Sequence, residues 1–151
     1  MLIELTLYLD RLESRFGLIK DALEESSPPP ARLNWRPGSE DPSIFGLAAF
    51  VAMNTDYWIG HALGNLPEPL GFDRVLEEAQ GDDFRPLIKL LDNSLETSRR
   101  VLEKLTAADL DNTINFNDEP LTPRQAIVLV LEDAAERYGE INALSRWWES
   151  K

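Results

Sequence analysis

Asp133 and Arg137 are the residues whose types and spacing most directly invite a chemical reading. A carboxylate and a guanidinium four residues apart share one helical face, within reach of each other. They interrupt AIVLVLEDAAERYGEINALSRWW, residues 126–148, whose first half is apolar nearly all round. A helix apolar on every side is predicted to be buried, so this stretch reads as the element around which the others pack. The pair is then either a structural ion pair or the wall of a pocket. In the pocket, Arg137 would receive the carboxylate or phosphate of a small anionic ligand. A second set, Phe50, Asn54, Tyr57 and His61, falls at i, i+4, i+7 and i+11, one predicted helical face. Asn54 and Tyr57 are candidates for ligand contact, because polar groups on a buried face need partners. His61 is the only histidine. Near a helix C-terminus it gains from the dipole when protonated, and general-base work would need a partner that no motif identifies.

Other chemistries find little footing. The chain has no cysteine, which excludes disulfides, thiolate catalysis and Cys–zinc sites. Gly-x-Ser-x-Gly, a phosphate loop, a dinucleotide glycine pattern, His-Glu-x-x-His and the ferritin-like Glu-x-x-His pair are all missing. The segment DLDNTINFNDEP has a superficial likeness to a calcium loop. It fails because Ile114 stands where the glycine is needed and Pro120 where the bidentate glutamate should be. Net charge is −12, from 27 acidic and 15 basic residues. Phosphate backbones and anionic membranes need a basic face, so neither is an expected partner. The opening MLIELTLYLDRLESR carries acids between its apolar positions and does not read as a signal peptide. No run is long enough to span a bilayer, and a cytoplasmic location is the expectation.

The elements that must position these residues follow from periodicity. The 151 residues suit one domain with a sizeable core. A first helix is predicted over residues 2–25, with Leu5, Leu9, Leu12, Phe16, Ile19 and Leu23 as its apolar stripe. Ser26, Ser27 and the prolines at 28 to 30 stop it. Residues 31–41 read as a loop in which Trp35 either plugs a gap between helices or walls a pocket. A second helix is predicted to start with Asp41 as N-cap and Pro42 in the first turn, and to end at Gly64 as a C′ glycine. Its small residues Gly46, Ala48, Ala49 and Ala52 permit close approach of a neighbour. Residues 65–82 are a connector with a short helix in its middle, from Phe72 to Gln80. A third long helix is predicted over residues 83–105, with a stripe of Phe84, Leu87, Leu91, Leu95, Ser98, Leu102 and Leu105. Thr106 to Asp109 has the form of a capping box, and residues 111–121 read as an irregular or hairpin-like excursion. Thr122, Pro123 and Gln125 then open the fourth helix. Together these predict an all-α, single-domain, up-and-down-type four-helix bundle with a short extra helix in the connector.

Three stretches also carry a family resemblance: LNWRPGSEDPSIFGLAAFVAMNTDYWIGHALG, LTAADLDNTI, and LTPRQAIVLVLEDAAERYGEINALSRWW. With the helix order, the Trp35-x-Pro37 loop and Gly139 inside the fourth helix, the chain resembles the DinB-like superfamily over essentially its whole length. That resemblance implies DinB-like connectivity and, in typical active members, a divalent metal on three histidines. One histidine lies in the second helix and two at i, i+4 in the fourth. Carried onto this chain, the positions fall at Phe50, Asp133 and Arg137, none of them histidine. Phenylalanine supplies no ligand atom, and arginine is always protonated and repels a cation. His61 lies eleven residues beyond Phe50, about 16 Å along a helix axis, too far to replace a ligand. The expectation is a degenerate metal site with no metal and no cofactor. In it the guanidinium fills the space of the ion, and Phe50 packs where an imidazole would be.

Two functional readings follow. The first is a DinB-like protein without its metal centre, a small-molecule-binding or dimeric interaction module. The second is a DinB-like enzyme, by resemblance a thiol-dependent transferase or isomerase or a hydrolase, using a rearranged site around Asp133, Arg137, Asn54 and Tyr57. Trp147 and Trp148 are either core plugs or part of a dimer surface, since aromatics are enriched at interfaces, and a homodimer is the expected assembly.

Overall fold

The computed structural model describes residues 1–25 and 29–151. The expected helix stop at Ser26, Ser27 and Pro28 therefore lies outside the described residues. The first helix, α1, spans Ile3–Glu24 and buries all six residues of its predicted stripe, together with Ala22. What reads as a loop in sequence begins with a five-residue helix, α2, Pro30–Asn34. Pro30 opens this short helix, because a fixed φ near −65° suits the N1 position.

The second long helix, α3, covers Ile44–Thr55. Its N-cap is Ser43, not Asp41: the Ser43 hydroxyl accepts from the Gly46 N–H, and Pro42 stays outside the helix. From Asp56 to Leu63 the same rod continues as a π-helix. Gly64 does not take the left-handed form expected of a C′ glycine; its φ is −96°. It is glycine for lack of room, since a Cβ there would meet Val101 at 2.7 Å and the Gly60 carbonyl at 2.6 Å. Asn65, with φ 55°, supplies the left-handed residue instead, a role asparagine tolerates better than most.

The connector holds the expected short helix in two parts, a 3₁₀ turn Phe72–Arg74 and α4, Val75–Glu78. The third long helix, α5, spans Arg85–Glu103. Leu87, Leu91, Ser98 and Leu102 are buried as the stripe requires, Ser94 joins them, and Phe84, Leu95 and Leu105 are half-buried. Both capping boxes form, Thr106 with Asp109 opening α6 (Ala107–Asp111) and Thr122 with Gln125 opening α7 (Pro123–Glu149). Between them lies a hairpin, β1 Ile114–Phe116 against β2 Glu119–Leu121. Its turn residues Asn117 and Asp118 both have positive φ, 52° and 64°, as the tightest hairpin turns demand.

Helix directions depart from the up-and-down expectation. Arg124 near the start of α7 bonds Glu4 near the start of α1, and Arg15 further along α1 donates to the Leu131 carbonyl, so these two run parallel. Ser94 donates to the Ala52 carbonyl and Gly64 packs on Val101, so α3 and α5 are also parallel. Phe50 meets Arg137 while Ala62 lies near Pro123, which sets α3 and its π continuation antiparallel to α7. The order is up, down, down, up. The physical reason is the connector: residues 64–84 are long enough to return to the starting end of the bundle before α5 begins.

The first half of α7 is not wrapped on all sides. Ala126, Ile127, Val130 and Ala134 are buried, whereas Val128 and Leu129 are 38% and 44% exposed. All-round apolarity therefore marks an exposed apolar strip here, rather than a helix with neighbours on every side. Among the described residues, no helix is long and apolar enough to cross a membrane.

Candidate functional site

The site forms where α3 faces the middle of α7, and the small residues of α3 make it possible. A Cβ at Gly46 would lie 3.4 Å from the Leu76 carbonyl and 3.5 Å from that of Val75. The short α4 therefore rests directly on α3. Just before it, Gly71 adopts φ 77°, a conformation glycine enters without strain. The chain turns there and the Phe72 ring slots between two rings of the long rod. It stacks on Phe50 with centroids 5.4 Å apart and on Tyr57 at 5.0 Å. Beyond Tyr57 the column continues to His61, 5.7 Å away, and Phe116 of the hairpin packs edge-on against Tyr57 at 5.5 Å.

The opposite side of Phe50 carries the charge. The Arg137 guanidinium carbon stands 4.8 Å from the Phe50 ring centre, within cation–π distance. Arg137 Nε donates to Asp133 Oδ1 at 3.2 Å, and Nη1 donates to Glu140 Oε1 at 2.9 Å. The pair is sheltered, with side-chain exposures of 23% for Arg137 and 18% for Asp133. Asp133 Oδ2 is buried and has no hydrogen-bond partner among the described residues. Burial pushes the Asp133 carboxyl above its ordinary range, against the opposing pull of Arg137.

The three positions singled out by resemblance, Phe50, Asp133 and Arg137, thus meet in space. As a donor set they do not fit a divalent cation. Only one of the three offers a ligand atom, and the second is itself a cation bonded to the first. Among the described residues, no three His, Cys, Asp or Glu side chains gather as a metal site elsewhere. The other two expected pocket residues are placed differently. Asn54 is buried on α3, and among the described residues it bonds neither Asp133 nor Arg137. Tyr57 is walled off from Phe50 by Phe72, and its hydroxyl accepts from Asn117 Nδ2 at 2.8 Å. Phe72 and Glu140 complete the site and were not singled out from sequence. Phe72 had a signal, an aromatic directly after glycine in a polar connector. Glu140 had none, because in a chain with 27 acids a carboxylate at i+3 is unremarkable.

Trp35 packs edge-on to Trp147 and Trp148 at 5.5 and 5.8 Å, closing the far end of the bundle. That is the gap-plugging role. Trp147 remains 56% exposed.

An up-down-down-up four-helix bundle whose candidate site lies between its second and fourth long helices defines a recognisable class of small helical protein. The chain belongs to the DinB superfamily, whose family model matches residues 9–141. It is also similar to a solved structure, a conserved protein from Enterococcus faecalis, with a TM-score of 0.83 and 18% identity over 100% of this chain and 99% of that one. At that identity the likeness speaks for the fold. Among curated proteins, none matches the sequence.

Proposed function

We propose that this chain is a DinB-superfamily member that works without a metal centre, as a small-molecule-binding module rather than a metalloenzyme. The observation that carries this reading is the Asp133–Arg137 pair seated on Phe50. A guanidinium takes the position that the family resemblance assigns to a metal ligand, and it is already engaged with the one remaining carboxylate. An anionic ligand group reaches Arg137 by displacing Glu140, which is 37% exposed and holds Nη1 as an internal stand-in. Charge and geometry then favour a carboxylate or phosphate small enough to enter beside Phe50.

Metal analysis of the purified protein tests the first half. The expected result is no stoichiometric divalent metal and a melting temperature indifferent to chelator. One ion per chain, lost in D133A, would overturn it. The converse substitution F50H/D133H/R137H is expected to create zinc binding, because it rebuilds three convergent imidazoles. A thermal-shift panel of small carboxylates and phosphate tests the second half. Stabilisation is expected to vanish in R137A and to strengthen in E140Q.

The enzyme reading keeps one specific support: a carboxyl whose buried oxygen lacks a partner and whose proton affinity is raised is suited to acid–base work. A turnover assay that survives D133N would remove it.

A homodimer in the cytoplasm belongs to the same proposal. Ile3 and Leu7 on α1, 90% and 52% exposed, lie on the helix beside Val128 and Leu129 of α7. Exposed apolar residues on two adjacent helices are of the kind that two copies cover symmetrically. Light scattering of the native chain and of V128E/L129E checks it; a native monomer would refute it.

A further inference from the structure

A concavity also lies away from Arg137. It is a cavity of about 580 Å³ at the end of the bundle where the π-helix stops, walled by that helix, α6, the hairpin and the start of α7. Its size is within the range of small-molecule sites. Its polar wall consists of His61, Asn65, Asp109, Asn112 and Asn115, with Phe116 as the aromatic surface.

The hydrogen-bonding sense of that wall can be read from two side chains. His61 Nδ1 lies 2.7 Å from the Leu66 carbonyl. A carbonyl only accepts, so Nδ1 is the donor, and in that tautomer Nε2 is the ring's acceptor. Leu66 is held for this by its own N–H, which donates to the Gly60 carbonyl at 3.0 Å. Asp109 presents a carboxylate with one oxygen committed to the capping box, Oδ2 accepting from the Thr106 N–H at 2.8 Å. That bond also keeps the carboxyl below its ordinary range, so it is ionised at neutral pH. The second oxygen takes no part in the box. No lysine or arginine lines the cavity, and the three asparagines can donate or accept as a ligand requires. The wall is thus net negative and biased toward accepting.

We propose that this bundle-end cavity is a second ligand site, distinct from the Arg137 site, that takes a small aliphatic amine in its ammonium form. The ammonium nitrogen donates to Asp109 and to His61 Nε2, and the alkyl portion lies along Phe116. Three donors on an ammonium group match an acceptor-rich wall, and an aromatic face attracts a cation. The chain's net charge of −12 raises the local concentration of such cations. The site owes nothing to the metal-site positions, and the ligand sign is opposite to that proposed at Arg137.

The test uses the intact protein and amide-detected NMR with putrescine, butane-1,4-diol as its neutral analogue, and succinate as the anionic one. Putrescine is expected to shift the side-chain amides of Asn65, Asn112 and Asn115 saturably, with the diol and succinate weaker. D109N keeps an oxygen for the Thr106 N–H and removes the charge. It is expected to weaken putrescine about tenfold or more while leaving diol binding unchanged. H61F is expected to weaken putrescine likewise. N115A, on the exposed hairpin, gives a variant whose folding is not at issue and is expected to weaken putrescine too. Equal binding of succinate, or an unchanged putrescine affinity in D109N, would overturn the proposal. Shifts clustered at Asp133 and Arg137 instead would also overturn it.

Discussion

Two arginines on the same helix each grip two carboxylates, and the two sites behave in opposite ways. Arg124 bonds Glu4 of α1 and Asp111 of α6, joining three elements near one end of the bundle. There the guanidinium, helped by the Tyr8 hydroxyl, holds the Glu4 carboxyl down to about 2. Arg137 bonds Asp133 and Glu140, both on its own helix. There burial outweighs the guanidinium, and the Asp133 carboxyl is pushed up. The chemistry of the groups is the same, so environment decides the outcome: a half-exposed carboxylate keeps its hydration and gains the ion pair, whereas a sheltered one loses hydration first. The Arg124 cluster fastens elements together. The Arg137 cluster pairs charges within one helix, sits on the Phe50 ring of α3, and leaves one buried oxygen without a partner among the described residues. A cluster whose ion pairs join no two elements is a better candidate for function than one whose ion pairs join three.

That comparison is broken most severely by removing the inner guanidinium. R137A leaves Asp133 and Glu140 facing each other, one of them sheltered, and is expected to destabilise the fold by about 2 kcal/mol in urea unfolding at neutral pH. Loss on this scale should shrink as the solution is acidified, because the stranded carboxylates then protonate. R124A exposes its former partners to solvent and is expected to lower the melting temperature less. A larger effect in R124A would reverse the ranking.

The conservative carboxamides come next, and they differ in sign. Glu4 has a folded-state value below its ordinary one, so it contributes stability above about pH 4.5 that is lost as pH falls toward about 2. E4Q should lose that contribution at neutral pH and flatten the acid limb of the stability curve. Asp133 has a folded-state value above its ordinary one, so its ionisation opposes folding at neutral pH, and the opposition fades as pH falls. D133N should therefore leave the melting temperature unchanged or raise it at pH 7. A drop in D133N matching that in E4Q would show the two clusters to be alike. Asp56, at the first turn of the π-helix, gives an independent check. Burial also raises its carboxyl, with Ser94 opposing, and Oδ1 has no partner among the described residues. D56N is expected to follow D133N in sign.

How much of this could be read from the residues depended on the range of the signal. Most local signals are faithful: both capping boxes and the six-residue stripe of α1 are where periodicity and cap chemistry put them. The i, i+4 geometry of Asp133 and Arg137 is equally local, and it holds. Two local cap readings fail, since Ser43 replaces Asp41 as N-cap and Asn65 replaces Gly64 as the left-handed residue. The larger failures lie in information carried between elements. The parallel pairing of α3 with α5 depends on the path of residues 64–84, which no periodicity encodes. The π-helix was hidden because its residues also suit an α-helix, and its Gly60 and Gly64 lie close against Thr97 and Val101 of α5. Phe72 enters the site from a segment that reads as an exposed connector. The burial of α7 was overestimated for a related reason: Val128 and Leu129 are apolar, but the described residues leave them partly exposed.

The smallest expected effect tests whether anything outside the chain touches the inner cluster. Gly139 lies inside α7, two residues past Arg137, and a Cβ built there meets no atom within 4 Å. Glycine in a helix interior costs about 0.5–1 kcal/mol relative to alanine, through the freedom it retains in the unfolded chain. Nothing in the described chain offsets that cost at this position. G139A should therefore raise the stability of the isolated protein by about that amount, and leave both carboxylate clusters titrating as before. If it does so while weakening a ligand of Arg137 or dissociating a dimer, the space over Gly139 is occupied by that partner, and the glycine is explained by contact. If it destabilises the isolated monomer, the open space is illusory and the helix is packed more tightly around Arg137 than around Arg124.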